Sequence, residues 1–299
     1  VRDYPTHKLA EYAANLILDS LNIDKQWRKL NETVRAYLKN TKLIKRDQFR
    51  ADLETLKEKS SFKKVEVTES EKNFLGAAKE YLEFADEFKA SDLRDKALYN
   101  ASVHYVNAGD LEKSVEIQVA FLKDYQGKKQ KQYNQKESPL VETVLFNLGK
   151  NYQAMAYYDK AADKYEEYVK LYPTGKNFKD ALYNAGIFNQ ALGNTEKAVA
   201  MRREYLKSST DADEKDQIEF ELGFAYLDVN DAKNAEKQFK AYLTLREKDI
   251  TWPRFDKKTG SMTERGAIKG DANRIYAANM ALMGIYKKEK RTADIEKMH

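Results

Sequence analysis

The sequence predicts an all-α protein made of stacked helix pairs, because the chain repeats itself and turn-forming residues are scarce. The pentapeptide ALYNA stands at residues 97–101 and again at 181–185, an offset of 84 residues. The same offset relates Gly109 to Gly193. A repeat of this kind indicates stacked copies of one supersecondary unit. With 12 glycines and 4 prolines among 299 residues, a sandwich or barrel of many tight turns is disfavoured.

The helical unit is clearest between Leu148 and Pro173, where apolar or small side chains recur at steps of three and four residues. This spacing places them on one face of each helix. Gly149 and Ala161 are small, as two closely approaching helices require, and Pro173 cannot continue a helix. The unit is therefore predicted to be a helix–turn–helix.

This spacing resembles the tetratricopeptide repeat, a helix–turn–helix with small residues at its eighth and twentieth positions. The matching pairs in this chain are Ser102/Ser114, Gly149/Ala161, Gly186/Ala198 and Gly223/Ala235. Successive eighth positions lie 47, 37 and 37 residues apart, against about 34 in the consensus, so the repeat is a lengthened variant. The resemblance is strong from about residue 77 to residue 245. It implies an α-α superhelix, a right-handed solenoid of about seven helix pairs.

The regularity of the repeat pattern divides the chain into three predicted regions. Residues 1–90 are predicted to hold degenerate helix pairs, 91–248 the regular array, and 249–299 an insertion loop with Trp252 followed by a terminal pair. The predicted N-terminal helices span 8–21, 27–37, 48–59 and 71–88, with a polar loop around 60–70. The terminal pair is predicted at 272–287 and 292–298. Residues 126–139 read as a Lys/Gln-rich linker.

The bulk composition suits short amphipathic helices and excludes several classes of function. Hydrophobic residues make up 42% of the chain and charged residues 34%. The net charge of +5 comes from 53 basic and 48 acidic side chains that are interspersed, whereas phosphate binding needs clustered basic residues. No apolar run approaches the ~20 residues that a membrane-spanning helix needs. The absence of cysteine excludes disulfides, thiolate catalysis and cysteine-ligated metal.

With its Tyr-Pro pairs at residues 4–5 and 172–173, the chain resembles the longer-repeat tetratricopeptide proteins of bacterial cell envelopes. The resemblance implies a periplasmic or outer-membrane-associated protein, with the cytoplasm as the alternative. Because the opening residues match the end of one repeat, we expect a fragment or processed product whose targeting sequence, if any, lies upstream of Val1.

No catalytic site, cofactor site or metal site is predicted. The three histidines, His7, His104 and His299, have no second histidine or carboxylate at metal-ligand spacing. His104 is predicted to be a packing or surface residue. No phosphate-binding loop, nucleophile elbow or His-Glu-x-x-His motif is present. The sequence therefore predicts that the chain is not an enzyme and has no small-molecule substrate.

In the tetratricopeptide family the first helix of each pair lines a concave groove, and its second, fifth, ninth, twelfth and thirteenth positions face inward. The fifth positions here are Tyr99, Phe146, Tyr183 and Phe220. The ninth are Val103, Lys150, Ile187 and Phe224, and the twelfth are Val106, Gln153, Gln190 and Leu227. The aromatic row at the fifth positions fits packing and binding equally well. Apolar ends around a polar middle at the other positions indicate an interaction site, for which a partner peptide or domain is the natural ligand.

Function is therefore predicted as a non-catalytic protein–protein interaction scaffold, within a bacterial envelope or motility-type complex. The alternative is a structural assembly subunit that packs through its convex and edge surfaces, with Trp252 at a docking edge. A third possibility is binding of nucleic acid or an anionic surface by the basic linker at 128–131, although an ordinary solvated linker is favoured there because only Tyr133 interleaves with the lysines.

Overall fold

A computed structural model describes residues 1, 3–127, 137–247, 250–251, 254–264, 267–268 and 271–297. Fourteen α-helices follow one another through these residues: α1 Ala10–Ile23, α2 Trp27–Lys39, α3 Asp47–Ser70, α4 Phe74–Glu87, α5 Arg94–Asn107, α6 Leu111–Tyr125, α7 Val141–Ala154, α8 Tyr158–Leu171, α9 Phe178–Ala191, α10 Thr195–Ser208, α11 Ala212–Asp228, α12 Ala232–Arg246, α13 Ala272–Lys288 and α14 Thr292–Glu296. None of the described helices is long and apolar enough to span a bilayer.

Every odd-numbered helix ends in the same turn, in which one residue has a left-handed backbone conformation. These residues have φ between 53° and 83° and are Lys25, Lys72, Gly109, Ala156, Gly193, Asn230 and Lys290. At each one, two backbone N–H groups return to the helix, as Gly109 does to the Val106 carbonyl (2.9 Å) and Asp110 to the Tyr105 carbonyl (2.8 Å). This is the Schellman arrangement that satisfies the last carbonyls of a helix. The described residues thus contain the seven predicted hairpins.

The small residues at the twentieth position of the repeat lie in the core. Ala161, Ala198 and Ala235 are fully buried. At Gly223 an added Cβ would lie 2.5 Å from the ring of Phe239 in α12, so the approach of α11 to α12 requires glycine. The predicted fold class is confirmed as all-α, with helix pairs that follow one another along the described residues.

The polar loop predicted around residues 60–70 was wrong, because α3 runs unbroken from Asp47 to Ser70. Ser60 and Ser61 are buried, and both hydroxyls accept hydrogen bonds from Asn31 Nδ2 of α2, at 2.9 and 2.8 Å. Val65 is fully buried one turn further on. A neighbouring helix therefore satisfies the polar side chains that look like loop residues in the sequence.

The insertion between α12 and α13 contains two short antiparallel strand pairs rather than only irregular loop. β1 (Ile250–Thr251) pairs with β4 (Ala267–Ile268), and β2 (Arg254–Asp256) pairs with β3 (Ser261–Glu264). Trp252, which was predicted to mark a docking edge, lies outside the described residues, as do the basic residues at 128–131 and most of the linker at 126–139.

The chain divides into two compact units, Val1–Asn151 and Tyr152–His299. In the first, a core cluster joins α1, α2 and α3 around Leu30 and Val34. In the second, a larger cluster joins α11, α12 and α13 around Phe239 and Tyr242. The boundaries predicted near residues 90 and 248 describe the regularity of the repeat and stay a prediction.

Candidate functional site

In the second unit, the first helix of each of the last three hairpins has one side exposed to solvent. These helices are α9, α11 and α13. Six predicted groove residues lie on α9 and α11, and all are partly exposed: Tyr183, Ile187, Gln190, Phe220, Phe224 and Leu227. Side-chain hydrogen bonds tie the two helices together along this face. Gln217 Nε2 donates to the Tyr183 hydroxyl (3.0 Å), and Gln190 Nε2 donates to Asp228 Oδ2 (2.8 Å). We call the exposed side of α9, α11 and α13 the first-helix face.

The aromatic residues of α11 both pack and remain accessible. Phe220 and Phe224 contact each other edge to face, with ring centres 5.1 Å apart. Phe220 lies 5.4 Å from Tyr242, and Phe224 lies 5.0 Å from Phe239, both of α12. These contacts hold the two rings in place, so that their free edges form a preorganised surface.

A buried arginine that the sequence analysis did not identify packs beneath the first-helix face. Arg202 of α10 donates through Nη2 to Gln190 Oε1 (2.6 Å) and through Nη1 to the Gly186 carbonyl (3.3 Å). Its Nε lies 3.4 Å from Glu221 of α11. Burial lowers the pKa of the guanidinium, and the Glu221 carboxylate opposes that shift. The signal was available, since Tyr165 and Phe239 occupy the same repeat position and a charged residue there is out of pattern.

A cleft of ≈ 530 Å³ opens on this face between α11 and α13. It is lined by Leu227, Asn230, Ala232, Ala281, Gly284, Ile285, Lys288 and Glu289. Aligning the turns at Asn230 and Lys290 places Gly284 at the position that Phe224 holds in the preceding hairpin. A Cβ at Gly284 would meet nothing within 4 Å. The cleft is therefore open because this hairpin lacks the side chain that its neighbour has.

Two further residues of α13 extend the face beyond the set predicted from the sequence. Tyr276 is 66% exposed and Met280 is 45% exposed. Met280 corresponds to Phe220 when the hairpin turns are aligned. The sequence reasoning stopped at Leu227 because the insertion before α13 breaks the 37-residue spacing, whereas aligning on the turn restores the register.

The remaining predicted groove residues are distributed over both units. In the first unit, Tyr99 and Val103 of α5 are partly exposed, while Val106 and Lys150 are exposed. Phe146 of α7 is 9% exposed and contributes mainly to packing. In the second unit, Gln153 is exposed and its Oε1 accepts a hydrogen bond from the Tyr165 hydroxyl (2.8 Å). A single groove through all twelve residues stays a prediction.

His104 packs between helices. Its Nε2 lies 2.6 Å from Glu69 Oε1, and its ring stacks on Phe74 and Tyr81 with centroid distances of 6.0 and 5.9 Å. Among the described residues, no group of three or more His, Cys, Asp or Glu side chains could hold a metal ion.

No family model matches this sequence, and no curated protein matches it. Among solved structures, MamA AMB-1 is 16% identical with a TM-score of 0.46, covering 64% of this chain and 93% of that chain. MamA from Desulfovibrio magneticus RS-1 is 18% identical with a TM-score of 0.42, covering 64% of this chain and 96% of that chain. A kinesin-light-chain-type protein of Podosopora anserina with nearly identical TPR-like repeats is 14% identical with a TM-score of 0.41, covering 69% and 91%.

Proposed function

We propose that this chain is a non-catalytic scaffold that binds a segment of a protein partner along the first-helix face of residues 152–299. The cleft between α11 and α13 carries the proposal. It is concave and its apolar wall includes Leu227 and Ala281. Such a cleft suits an apolar anchor side chain, the kind of contact that dominates binding energy at protein interfaces.

The surroundings of the cleft suit a peptide better than a small molecule. Gln190 lies on α9 and Asp228 on α11, where the two bond to each other, and the remaining amide hydrogen and carboxylate oxygen can bond to a peptide backbone. Exposed Met280 offers an adaptable apolar surface beyond the cleft. The partner segment is therefore proposed to cross from α9 to α13 with its apolar anchor at Gly284.

The experiment fills the cleft without disturbing the fold. Peptides selected from a random library on the wild-type chain are titrated against Gly284→Leu and the matched control Gly284→Ala. Both variants improve helix propensity by up to about 1 kcal/mol, and a Cβ at this position would meet nothing within 4 Å beside the open volume of the cleft. We expect Gly284→Leu to weaken binding at least about tenfold, or ~1.4 kcal/mol, and Gly284→Ala to retain it. Equal affinities for the wild type and Gly284→Leu would contradict the proposal.

A bacterial envelope or motility-type complex is proposed as the setting, on the resemblance of Tyr4-Pro5 and Tyr172-Pro173 to envelope proteins of this type. Cell fractionation of the source organism with an antibody to this chain tests it, and exclusive recovery from the cytosol would refute it. The alternative roles that rest on Trp252 and on residues 128–131 concern parts of the chain outside the described residues and stay predictions.

A further inference from the structure

The cleft between α11 and α13 is walled largely by small and apolar residues. All its lining residues belong to α11, α12, α13 or the turns that follow α11 and α13, so both walls lie within the described part of the chain. The lining includes Ala281 and Gly284 of α13 and Ala232 of α12, none of which carries an atom beyond a Cβ. Leu227 and Ile285 add apolar surface. A planar ring can approach such walls closely and fill the space between them.

The size of the cleft suits an aromatic side chain together with its neighbours. Its volume of ≈ 530 Å³ lies within the ~300–1,000 Å³ of pockets that hold small ligands. Aromatic side chains bury ~150–250 Å² each and dominate the binding energy of interfaces when they enter desolvated pockets. A ring therefore gains more from this cleft than a small aliphatic side chain does.

A lysine lies at the rim of the cleft. Lys288 lines the cleft and is exposed, and no carboxylate among the described residues forms an ion pair with it. Glu289 also lines the cleft, but its Oε2 lies 3.0 Å from Arg291 Nη1, so its charge is already paired. The Lys288 ammonium is therefore available to a negatively charged group of a ligand.

Comparison of the hairpins shows that this charge is particular to α13. Aligning the hairpin turns places Lys288 at the position that Asp228 holds in α11. The first helices of the other hairpins have, at the same position, Ile23, Ser70, Asn107, Ala154 and Ala191. None of these residues is basic, so the packing of the repeat does not require a lysine there.

An ammonium group at the rim also favours an aromatic anchor over an aliphatic one, because a cation is attracted to the face of a ring. The same unit contains contacts of this kind. Lys240 Nζ lies 5.6 Å from the ring centre of Tyr286, and Lys160 Nζ lies 5.0 Å from that of Tyr157. Lys288 can make the same contact with a ring that a ligand supplies.

The spacing along α13 limits where the negative group of the ligand lies. Gly284 and Lys288 are one helical turn apart, about 6 Å along the helix axis, and each residue of an extended peptide advances ~3.3 Å. We infer that the partner segment carries an aromatic anchor with an aspartate or glutamate within two positions of it. The ring enters the cleft at Gly284, and the carboxylate pairs with Lys288. This inference rests on the proposed function, since it specifies the segment that the first-helix face binds.

Parallel selections from one random peptide library test this chemistry. The library is selected on the wild-type chain, on Lys288→Glu and on the matched control Lys287→Glu. Both lysines are exposed and lie in the last turn of α13, so the two variants change the charge equally, but Lys287 is not among the residues that line the cleft. Far-UV circular dichroism verifies that the variants are folded. Sequencing of the selected pools measures the enrichment of each residue type around the anchor.

We expect aspartate and glutamate to be enriched about two- to fivefold within two positions of an aromatic residue in the wild-type and Lys287→Glu pools, the fold-change that an exposed ion pair gives. In the Lys288→Glu pool the aromatic enrichment should persist and the acidic enrichment should disappear. Aliphatic anchors in the wild-type pool would overturn the inference, as would an acidic enrichment that Lys288→Glu leaves unchanged or that Lys287→Glu removes equally. In those cases, peptides that still lose affinity for Gly284→Leu would leave the proposed function standing. Pools without enrichment, or peptides that bind Gly284→Leu as tightly as the wild type, would overturn both.

Discussion

The seven hairpin turns allow a sharp test of how this chain is stabilised, because they impose one backbone conformation on unlike residues. Ala156 has φ = +59°, and Gly109 has φ = +83° in the equivalent turn. A left-handed conformation costs a residue with a Cβ roughly 1–2 kcal/mol, whereas glycine adopts it freely. Replacing alanine by glycine also raises the entropy of the unfolded chain, which costs about 0.4–1 kcal/mol. We therefore expect Ala156→Gly to stabilise the protein by about 0.5–1 kcal/mol.

The reciprocal substitution supplies the control. A Cβ at Gly109 would meet nothing within 4 Å, so Gly109→Ala changes only the backbone energy and should destabilise by about 0.5–1 kcal/mol. Urea unfolding followed by far-UV circular dichroism gives the free energies of all three proteins. Hydrogen exchange of the Tyr157 amide, which bonds to the Tyr152 carbonyl at 2.9 Å, reports on the turn itself. If Ala156→Gly were neutral or destabilising while Gly109→Ala still destabilised, the two turns would not share the energetics assigned to them.

Three other predictions follow from single contacts. Gly223→Ala should destabilise by about 1–3 kcal/mol in urea unfolding, because the added Cβ would lie 2.5 Å from Phe239. Arg202→Ala should cost about 2–3 kcal/mol in the same assay, because buried acceptors lose their charged donor; a loss below about 0.5 kcal/mol would mean that water replaces it. The bidentate contact from Arg291 and a bond from Lys240 lower the pKa of Glu236 from 4.5 to about 2. Because the folded-state pKa is lowered, this carboxylate stabilises the fold above about pH 4.5, and its contribution is lost as the pH falls toward about 2. Arg291→Gln should flatten that acid limb in melts at a series of pH values, and an unchanged limb would assign it to other carboxylates.

The sequence by itself was enough for the elements whose cause is local. Gly109 and Gly193 mark hairpin turns because few other residues tolerate their backbone conformation. Gly223 and Ala235 mark a close helix pair, because the ring of Phe239 leaves no room for a Cβ at Gly223. The sequence also predicted the N-terminal hairpins, but no glycine marks their turns, where Lys25 and Lys72 stand instead. The 84-residue offset between the turns at Lys25 and Gly109 shows that these hairpins keep the spacing of the regular array.

Other features depended on contacts between residues far apart in the sequence, which no local pattern encodes. Ser60 and Ser61 belong to a helix because Asn31, nearly thirty residues away, bonds to their hydroxyls. Arg202 has its role because α9 and α11 lie on either side of it. Its hydrogen-bond acceptors on these two helices are the Gly186 carbonyl and the Glu221 carboxylate.

The cleft shows most clearly the difference between what the sequence indicates and what packing decides. Gly284 is visible in the sequence, but a glycine in a helix reads only as a loss of propensity. Its position opposite Leu227 arises because α13 packs beside α11 after an intervening insertion of two strand pairs. Backbone preferences and small-residue spacing are short-range, so the chain alone specified its hairpins. Which side chains meet across hairpins is a long-range outcome of packing, and only the tertiary structure decided it.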